Sequence, residues 1–185
     1  MVYRPEFREA LDLLAKAIAE VTGQGVEPPI LVGGGAVELY TGSEVVSGDF
    51  DFVTPHQRAF EDAFERAGFR RVMESGFLTR SLIHRLGFGV QIVSGLLMDG
   101  KASLERIRVF EIVDGAKLWV IPAEDLIADR MGQAYSDTPP RGDMLDQAFG
   151  LMHLVSEIDE SYLDRRICEE TAGGANLATL KRWTP

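Results

Sequence analysis

The chain has 185 residues, of which 45% are hydrophobic and 26% are charged, which is enough apolar material for an ordinary soluble core. Its net charge of −10, from 29 acidic and 19 basic residues, disfavours a long nucleic acid as partner, because such binding normally uses a basic surface. No apolar run approaches the ~20 residues of a membrane helix, and the N-terminus lacks the apolar segment of a signal peptide. We therefore expect a cytoplasmic protein.

The first forty residues predict a helix, a strand, a glycine turn and a second helix. Residues 5–21 repeat apolar side chains at three- and four-residue steps, which is typical of an amphipathic helix. Residues 30–32 are a short apolar run bounded by turn residues, which favours a buried strand. Three glycines, Gly33 to Gly35, follow directly, and residues 36–40 resume with a helical pattern.

The middle of the chain predicts mostly strands. Residues 50–53 favour a strand, and Thr54 with Gln57 predicts a capping box for a helix that ends at Gly68. Five further strands are predicted at 69–73, 77–84, 88–93, 107–113 and 117–121.

Helices are predicted for the rest of the chain. Pro122 begins one, a second follows a polar loop, and a third follows Asp159, which we expect to be its N-cap. The tail from residue 173 onward is expected to be loose or peripheral. The predicted class is α+β, with a mixed sheet flanked by helices in residues 1–121 and a small helical segment in residues 122–185 packed on that core.

The glycine turn is a candidate phosphate site. At Gly34 and Gly35 the backbone can approach a phosphate closely, and the N–H groups of the following helix favour an anion. A dinucleotide-binding fingerprint fits poorly, because Glu38 stands where Gly or Ala is needed. A Walker-type loop is excluded by the absence of Gly-Lys-Ser/Thr.

Asp49 and Asp51 form a candidate metal site. On a strand, side chains two residues apart point to the same side, so both carboxylates can converge on one point. Their mutual repulsion favours a cation between them, and oxygen ligands suit Mg²⁺ or Mn²⁺. Thirteen residues separate Gly35 from Asp49, which is room for a short helix and a return loop. The phosphate site and the metal site can therefore meet at one edge of a sheet.

In this order and spacing the sequence resembles the DNA polymerase β-like nucleotidyltransferase superfamily, whose signature is a Gly-Gly or Gly-Ser turn, a short helix and Asp-x-Asp on a strand. A closer likeness is to small bacterial AbiEii-like nucleotidyltransferases, which often have Gly-Gly-x-Ala after the first strand and a strand-to-helix element similar to residues 120–130. Those proteins usually have lysine at the position of Arg130. The resemblance spans roughly residues 28–155.

The resemblance implies a polymerase β-type core that moves a nucleoside monophosphate from an NTP to an acceptor hydroxyl on RNA, a small molecule or a protein. AbiEii-like relatives include toxins, so a toxin–antitoxin or phage-defence role is also implied. Asp49 and Asp51 would hold Mg²⁺, and the glycine turn would contact the phosphates. Arg130 would neutralise the same phosphates, although a purely structural, snorkelling Arg130 remains open.

The sequence departs from the family pattern at the third acidic position. The family supplies a third carboxylate from a later strand, and here that position is Gln91, whose amide can ligate weakly but cannot act as a base. Asp99 or Glu111 could substitute if the fold brings either one in. A basic residue shortly before the first aspartate is also missing, although Ser47 could contact phosphate. Two hypotheses follow. The first is an active enzyme with Asp49, Asp51 and Gln91 in its site and a third acid that is relocated or dispensable. The second is a catalytically weak or inactive module that binds Mg-NTP or a partner.

Overall fold

The computed structural model describes residues 2–74 and 77–185, with the side chains of all of these except 72–74 and 77–80. Within these residues the helices are α1 (Pro5–Thr22), α2 (Gly33–Thr41), α3 (Gln57–Arg66), α4 (Ala123–Tyr135), α5 (Gly142–Leu154), α6 (Glu160–Glu170) and α7 (Leu177–Lys181). The strands are β1 (Ile30–Val32), β2 (Asp49–Val53), β3 (Arg70–Glu74), β4 (Phe77–Ile83), β5 (Gly89–Ser94), β6 (Arg108–Val113) and β7 (Ala116–Val120).

The strands form one mixed sheet in the order β3-β4-β5-β2-β1-β7-β6. Strand β2 runs parallel to β5 on one side and antiparallel to β1 on the other. Strand β1 is parallel to β7, and the pairs β3–β4, β4–β5 and β6–β7 are antiparallel. The predicted mixed sheet flanked by helices is confirmed, and β2, which carries both aspartates, is its central strand.

The chain divides into two compact units. The sheet unit consists of Met1–Ala36 and Val46–Ile121, and the helical unit consists of Val37–Val45 and Pro122–Pro185. Helix α2 contributes its first four residues to the sheet unit and its remaining five to the helical unit.

Phenylalanines fill the core of the sheet unit. The rings of Phe7 and Phe50 stack with centroids 5.2 Å apart, and those of Phe52 and Phe64 lie 5.5 Å apart. All four side chains are buried, and each contributes about 2–3 kcal/mol of hydrophobic stabilisation. Helices α1 and α3 therefore cover the face of β2 that carries Phe50 and Phe52.

A buried ionic network lies in the helical unit. The fully buried Asp125 carboxylate accepts hydrogen bonds from Tyr162 Oη at 2.8 Å and from Arg166 Nε at 2.6 Å. The Arg166 guanidinium also pairs with Glu169 and, at 2.7 Å, with Glu170. Burial raises the pKa of the Asp125 carboxyl, and the hydrogen bonds from Arg166 and Tyr162 oppose that rise. Each buried charge in this network has a partner, as buried charges require.

Two predicted helix starts are wrong. Helix α3 begins at Gln57 without the predicted capping box; the Thr54 hydroxyl instead accepts a hydrogen bond from His56 N at 3.1 Å. The Thr54 N–H donates to the Ser94 carbonyl and continues the pairing of β2 with β5, so Thr54 belongs to the end of the strand and the helix begins two residues after Pro55, with His56 at its N-cap position. Helix α2 begins at Gly33, three residues before the predicted start, so the glycines form its first turn.

The C-terminal tail is not loose. It contains α7, which begins with a capping box between Asn176 and Thr179 and buries Leu180 completely. The predicted N-cap of α6 is confirmed, because the Asp159 carboxylate accepts from Tyr162 N at 3.0 Å. Among the described residues, no helix is both long enough and apolar enough to cross a membrane.

Candidate functional site

Asp49 and Asp51 lie on the face of β2 opposite to its buried phenylalanines. Their alternation with Phe50 and Phe52 sends both carboxylates to the same side of the sheet. Asp49 is exposed and Asp51 is half-buried, whereas Phe50 and Phe52 have no exposed surface. The sequence-predicted pair therefore shares one face, as expected.

The Asp51 carboxylate lies directly over Gly33. Residue 33 has φ of +64°, a conformation that favours glycine. A β-carbon at this position would overlap Asp51 Oδ2 and would lie 3.1 Å from Asp51 Cγ. Glycine is therefore required twice at this position, for its backbone angle and for the space that the carboxylate occupies.

The next two glycines pack against the segment that leads into β2. A β-carbon on Gly34 would lie 2.5 Å from Ser47 Oγ, and one on Gly35 would lie 2.9 Å from the Phe50 ring and 3.0 Å from the Asp49 carbonyl oxygen. The Ser47 hydroxyl donates to that same carbonyl at 3.1 Å. The structure thus brings Gly34, Gly35 and Ser47 together beside the first aspartate.

Strand β5 leaves space for the first carboxylate. Gly89 is the register partner of Asp49, and a β-carbon on Gly89 would overlap Asp49 Oδ1. The Gly89 N–H donates to the Gly48 carbonyl at 2.9 Å, which ties the start of β5 to the start of β2. Asp49 is therefore held between the glycine turn on one side and Gly89 on the other.

Gln91 is the register partner of Asp51. Its Nε2 donates to Asp51 Oδ1 at 2.7 Å, and its Oε1 accepts a hydrogen bond from the Ser81 hydroxyl at 3.2 Å. The Ser81 hydrogen bond orients the amide so that its donor, and not its acceptor, faces the carboxylate. Three neighbouring strands, β4, β5 and β2, thus contribute to one chain of hydrogen bonds.

The carboxylate oxygens on this face suit a cation that binds together with a substrate. Among residues 2–74 and 77–185, no group of three or more His, Cys, Asp or Glu residues could hold a metal ion. Two carboxylates are nonetheless sufficient for Mg²⁺ when water and substrate phosphates complete its coordination. Asp49 and Asp51 would hold such an ion.

Neither of the alternative third acids joins the pair. Glu111 lies on β6, and β1 and β7 stand between that strand and β2. Asp99 lies in a 3-10 turn that follows the end of β5 remote from Gly89. The third position of the site therefore remains the Gln91 amide.

Arg130 is buried inside the helical unit. Its Nη1 lies 3.1 Å from Gln133 Oε1 and 3.7 Å from Met144 Sδ, and its Nη2 lies 3.7 Å from the Asp129 carboxylate. Its Nε is buried without a hydrogen-bond partner. The contacts within this unit are those of a structural side chain, and the predicted nucleotide role of Arg130 stays a prediction.

Three contributors were missing from the sequence prediction. Gly33 is the first glycine of the turn, and its place directly after an apolar strand was the available signal for a positive φ. Gly89 and Ser81 carried no comparable signal, because they become neighbours of the aspartates only through strand pairing. Close approach of strands explains why position 89 lacks a side chain.

No protein-family model and no curated protein matches the chain by sequence. Solved structures do match it. An antigenic nucleotidyltransferase-like protein from Paracoccidioides brasiliensis superposes with a TM-score of 0.62 at 14% identity, over 97% of this chain and 94% of that one. The chain has the nucleotidyltransferase fold.

The antibiotic-resistance factor ANT(2'')-Ia has the same fold. Its structure in complex with adenylyl-2''-tobramycin matches with a TM-score of 0.60 at 14% identity, over 91% of this chain and 98% of that one. Its solution structure matches with a TM-score of 0.57 at 13% identity, over 89% and 92% of the two chains. These matches cover most of each chain, and at 13–14% identity they show the fold alone.

Proposed function

We propose that the protein transfers a nucleoside monophosphate from a magnesium-bound NTP to a hydroxyl group of a small cationic acceptor. The observation that carries this proposal is the Asp51 carboxylate lying over Gly33, with Asp49 on the same face, in a chain with the nucleotidyltransferase fold. This arrangement supports the proposal because it brings a glycine turn, which would accept phosphate, next to two carboxylates, which would bind the cation.

The residues of this face would divide the work. Asp49 and Asp51 would hold Mg²⁺, which neutralises charge on the phosphates when bound. The backbone of Gly34 and Gly35, with the Ser47 hydroxyl, would bind the β- and γ-phosphates. The acceptor oxygen would bond to the α-phosphorus, and pyrophosphate would leave with the electron pair of the broken P–O bond. The hydroxyl proton would pass to solvent, because the Gln91 amide is not basic near neutral pH.

The distribution of charge supports a cationic acceptor. The sheet unit has 15 acidic and 13 basic residues, whereas the helical unit has 14 acidic and six basic residues. Nearly all of the net charge of −10 therefore belongs to the helical unit, which would attract a polyamine-like molecule and repel a polynucleotide. The ANT(2'')-Ia complex holds an adenylylated aminoglycoside, and aminoglycosides carry several amino groups.

An RNA acceptor and a toxin or phage-defence role would follow from the AbiEii-like resemblance. That resemblance rests on Gly34-Gly35-Ala36 and on residues 120–130. The acidic helical unit argues against RNA, so we place this alternative second among the possible acceptors.

A second candidate function is a module that binds Mg-NTP without transferring it. The observation that favours it is Gln91, which supplies an N–H donor where a base or metal ligand is expected. Such a module would retain the nucleotide site and lack turnover.

Calorimetric titration of the protein with ATP, GTP, CTP and UTP in the presence of Mg²⁺ tests both candidates. Asp51→Asn keeps the size of the side chain and removes its charge, so we expect at least about tenfold weaker binding. Asp114→Asn is the matched control, because Asp114 is an exposed acid at the turn between β6 and β7. Absence of binding by the wild-type protein contradicts both candidate functions.

Transfer is then tested with α-³²P-labelled NTP and one of three acceptors: tobramycin, total RNA or the protein itself. Labelled tobramycin that disappears with Asp51→Asn supports the proposed enzyme. Labelled RNA supports the AbiEii-like alternative. Binding without label in any acceptor supports the module.

A further inference from the structure

Arg4 connects the start of α1 to the segment that precedes Asp49. Its Nη2 donates to the Ser47 carbonyl at 2.5 Å, across 43 positions of sequence. Its guanidinium lies over the Phe88 ring, 4.8 Å from the centroid, and 5.9 Å from the centroid of Phe7. The aromatic contacts and the hydrogen bond together hold the planar guanidinium in one orientation.

Ser47, the residue that Arg4 holds, touches the glycine turn at Gly34. The Ser47 hydroxyl lies over Gly34, donates to the Asp49 carbonyl at 3.1 Å and accepts from the Asp49 N–H at 3.3 Å. A displacement of Ser47 would therefore change both its contact with the glycine turn and its hydrogen bonds with Asp49.

Arg4 also supplies a charge that the local sequence lacks. Residues 33–57 contain four acidic residues and no lysine or arginine, although this stretch includes the entire glycine turn and both aspartates. Arg4 is brought to this stretch by the packing of α1 on β2, through the stacked rings of Phe7 and Phe50. A guanidinium at the start of β2 reduces the electrostatic repulsion between phosphate oxygens and the two carboxylates.

We propose that Arg4 is a positioning residue for triphosphate binding, which fixes Ser47 over the glycine turn and offsets the negative charge around Asp49. This proposal rests on the proposed nucleotide function. It assigns to a residue of the N-terminal segment the cationic role that no residue near Asp49 in the sequence provides.

The test compares Arg4→Met, which removes the charge and keeps an apolar contact with Phe88, with Arg4→Lys, which keeps the charge and loses the planar fork. Arg85→Met is the matched control, because Arg85 is 79% exposed and pairs with Glu9 at 3.4 Å. Affinities for Mg-ATP and for adenosine are measured by competition against a fluorescent ATP analogue, and folding is followed by thermal unfolding.

We expect Arg4→Met to weaken Mg-ATP binding about tenfold and to leave adenosine binding unchanged, with Arg4→Lys about threefold weaker for Mg-ATP. Unchanged Mg-ATP affinity, or equal losses for ATP and adenosine, overturns the proposal. If Arg4→Met does not fold, Arg4→Lys decides, and wild-type affinity in that variant is the overturning result. If the wild-type protein binds no Mg-ATP, both the proposed function and the role of Arg4 are refuted. If the wild-type protein binds Mg-ATP and the Arg4 variants bind it equally well, only the role of Arg4 is refuted.

Discussion

The Gln91 amide donates a hydrogen bond of 2.7 Å to the Asp51 carboxylate across the parallel strands β2 and β5. A carboxylate in place of this amide would face Asp51 as a like charge and would need a cation between them. The amide instead orients Asp51 when no cation is bound. Under the proposed function, Asp51 would therefore be oriented before a nucleotide binds, and a bound metal would have one fewer anionic ligand.

Gln91→Glu should strengthen binding of Mn²⁺ in the presence of ATP about tenfold, because it adds an anionic oxygen beside Asp51. Without metal, the new repulsion should lower the free energy of unfolding by about 1 kcal/mol. Mn²⁺ titration followed by electron paramagnetic resonance measures the affinity. Gln133→Glu is the control, because Gln133 makes the same kind of hydrogen bond to Asp129, at 2.9 Å, in the helical unit. Equal Mn²⁺ affinities in wild type and Gln91→Glu would contradict the assignment of residue 91 to the metal site.

Gly33→Ala should abolish Mg-ATP binding, because the new methyl group occupies the place of the Asp51 carboxylate. The positive φ adds a cost of about 1–2 kcal/mol to the folded state. Gly25→Ala is the control: its φ of +84° imposes a similar backbone cost, and nothing lies within 4 Å of its added methyl group. Calorimetry and urea unfolding should therefore show a stability loss in both variants and a binding loss in Gly33→Ala alone. Normal nucleotide binding by Gly33→Ala would exclude the glycine turn from the site.

Arg166→Leu should destabilise the protein by about 3–5 kcal/mol near neutral pH, because it leaves the Asp125 carboxylate buried without its cation. Burial already raises the pKa of Asp125 above its ordinary value of 3.8, and removal of Arg166 removes a contribution that lowers it. In the variant the folded protein therefore holds a proton on Asp125 more tightly than the unfolded chain does.

The sign of the pH dependence follows from that difference. The stability contributed by the protonated carboxyl is present below the unfolded pKa and is lost as pH rises through the folded pKa. We therefore expect urea unfolding at about pH 5 and about pH 8 to show that Arg166→Leu loses more free energy of unfolding, relative to wild type, at the higher pH. Arg165→Leu, on the exposed side of α6, should show a small deficit at both. A deficit that does not change with pH would mean that Asp125 stays ionised in the variant.

Leu180→Ala should cost about 2–4 kcal/mol, because Leu180 of α7 is completely buried. Leu154→Ala removes the same atoms from a side chain that is 47% exposed, and it should cost less than about 1 kcal/mol. Thermal unfolding of the two variants compares them directly. Equal losses of stability in the two variants would mean that α7 is not packed against the protein and that the C-terminal tail is loose, as its sequence suggests.

Local patterns were sufficient for the elements around the site. The apolar run before three glycines predicted β1 and the glycine turn, and the alternation of Asp and Phe in β2 placed both aspartates on one side, because side-chain direction in a strand depends only on position. The same local reasoning failed at Thr54 and at α7. Thr54 is held by pairing with β5, and α7 is stabilised by burial of Leu180, and neither contact is visible in a short window of sequence.

The rest of the site depends on contacts between distant residues. Gln91 meets Asp51, and Gly89 meets Asp49, through one register of parallel strands that are 40 positions apart. Arg4 reaches Ser47 through the packing of α1. Strand pairing and helix packing are set by the total burial of the folded chain and not by the preferences of neighbouring residues. The two aspartates and their glycines could therefore be recognised in the sequence, whereas the groups that surround them emerged only when the chain was folded.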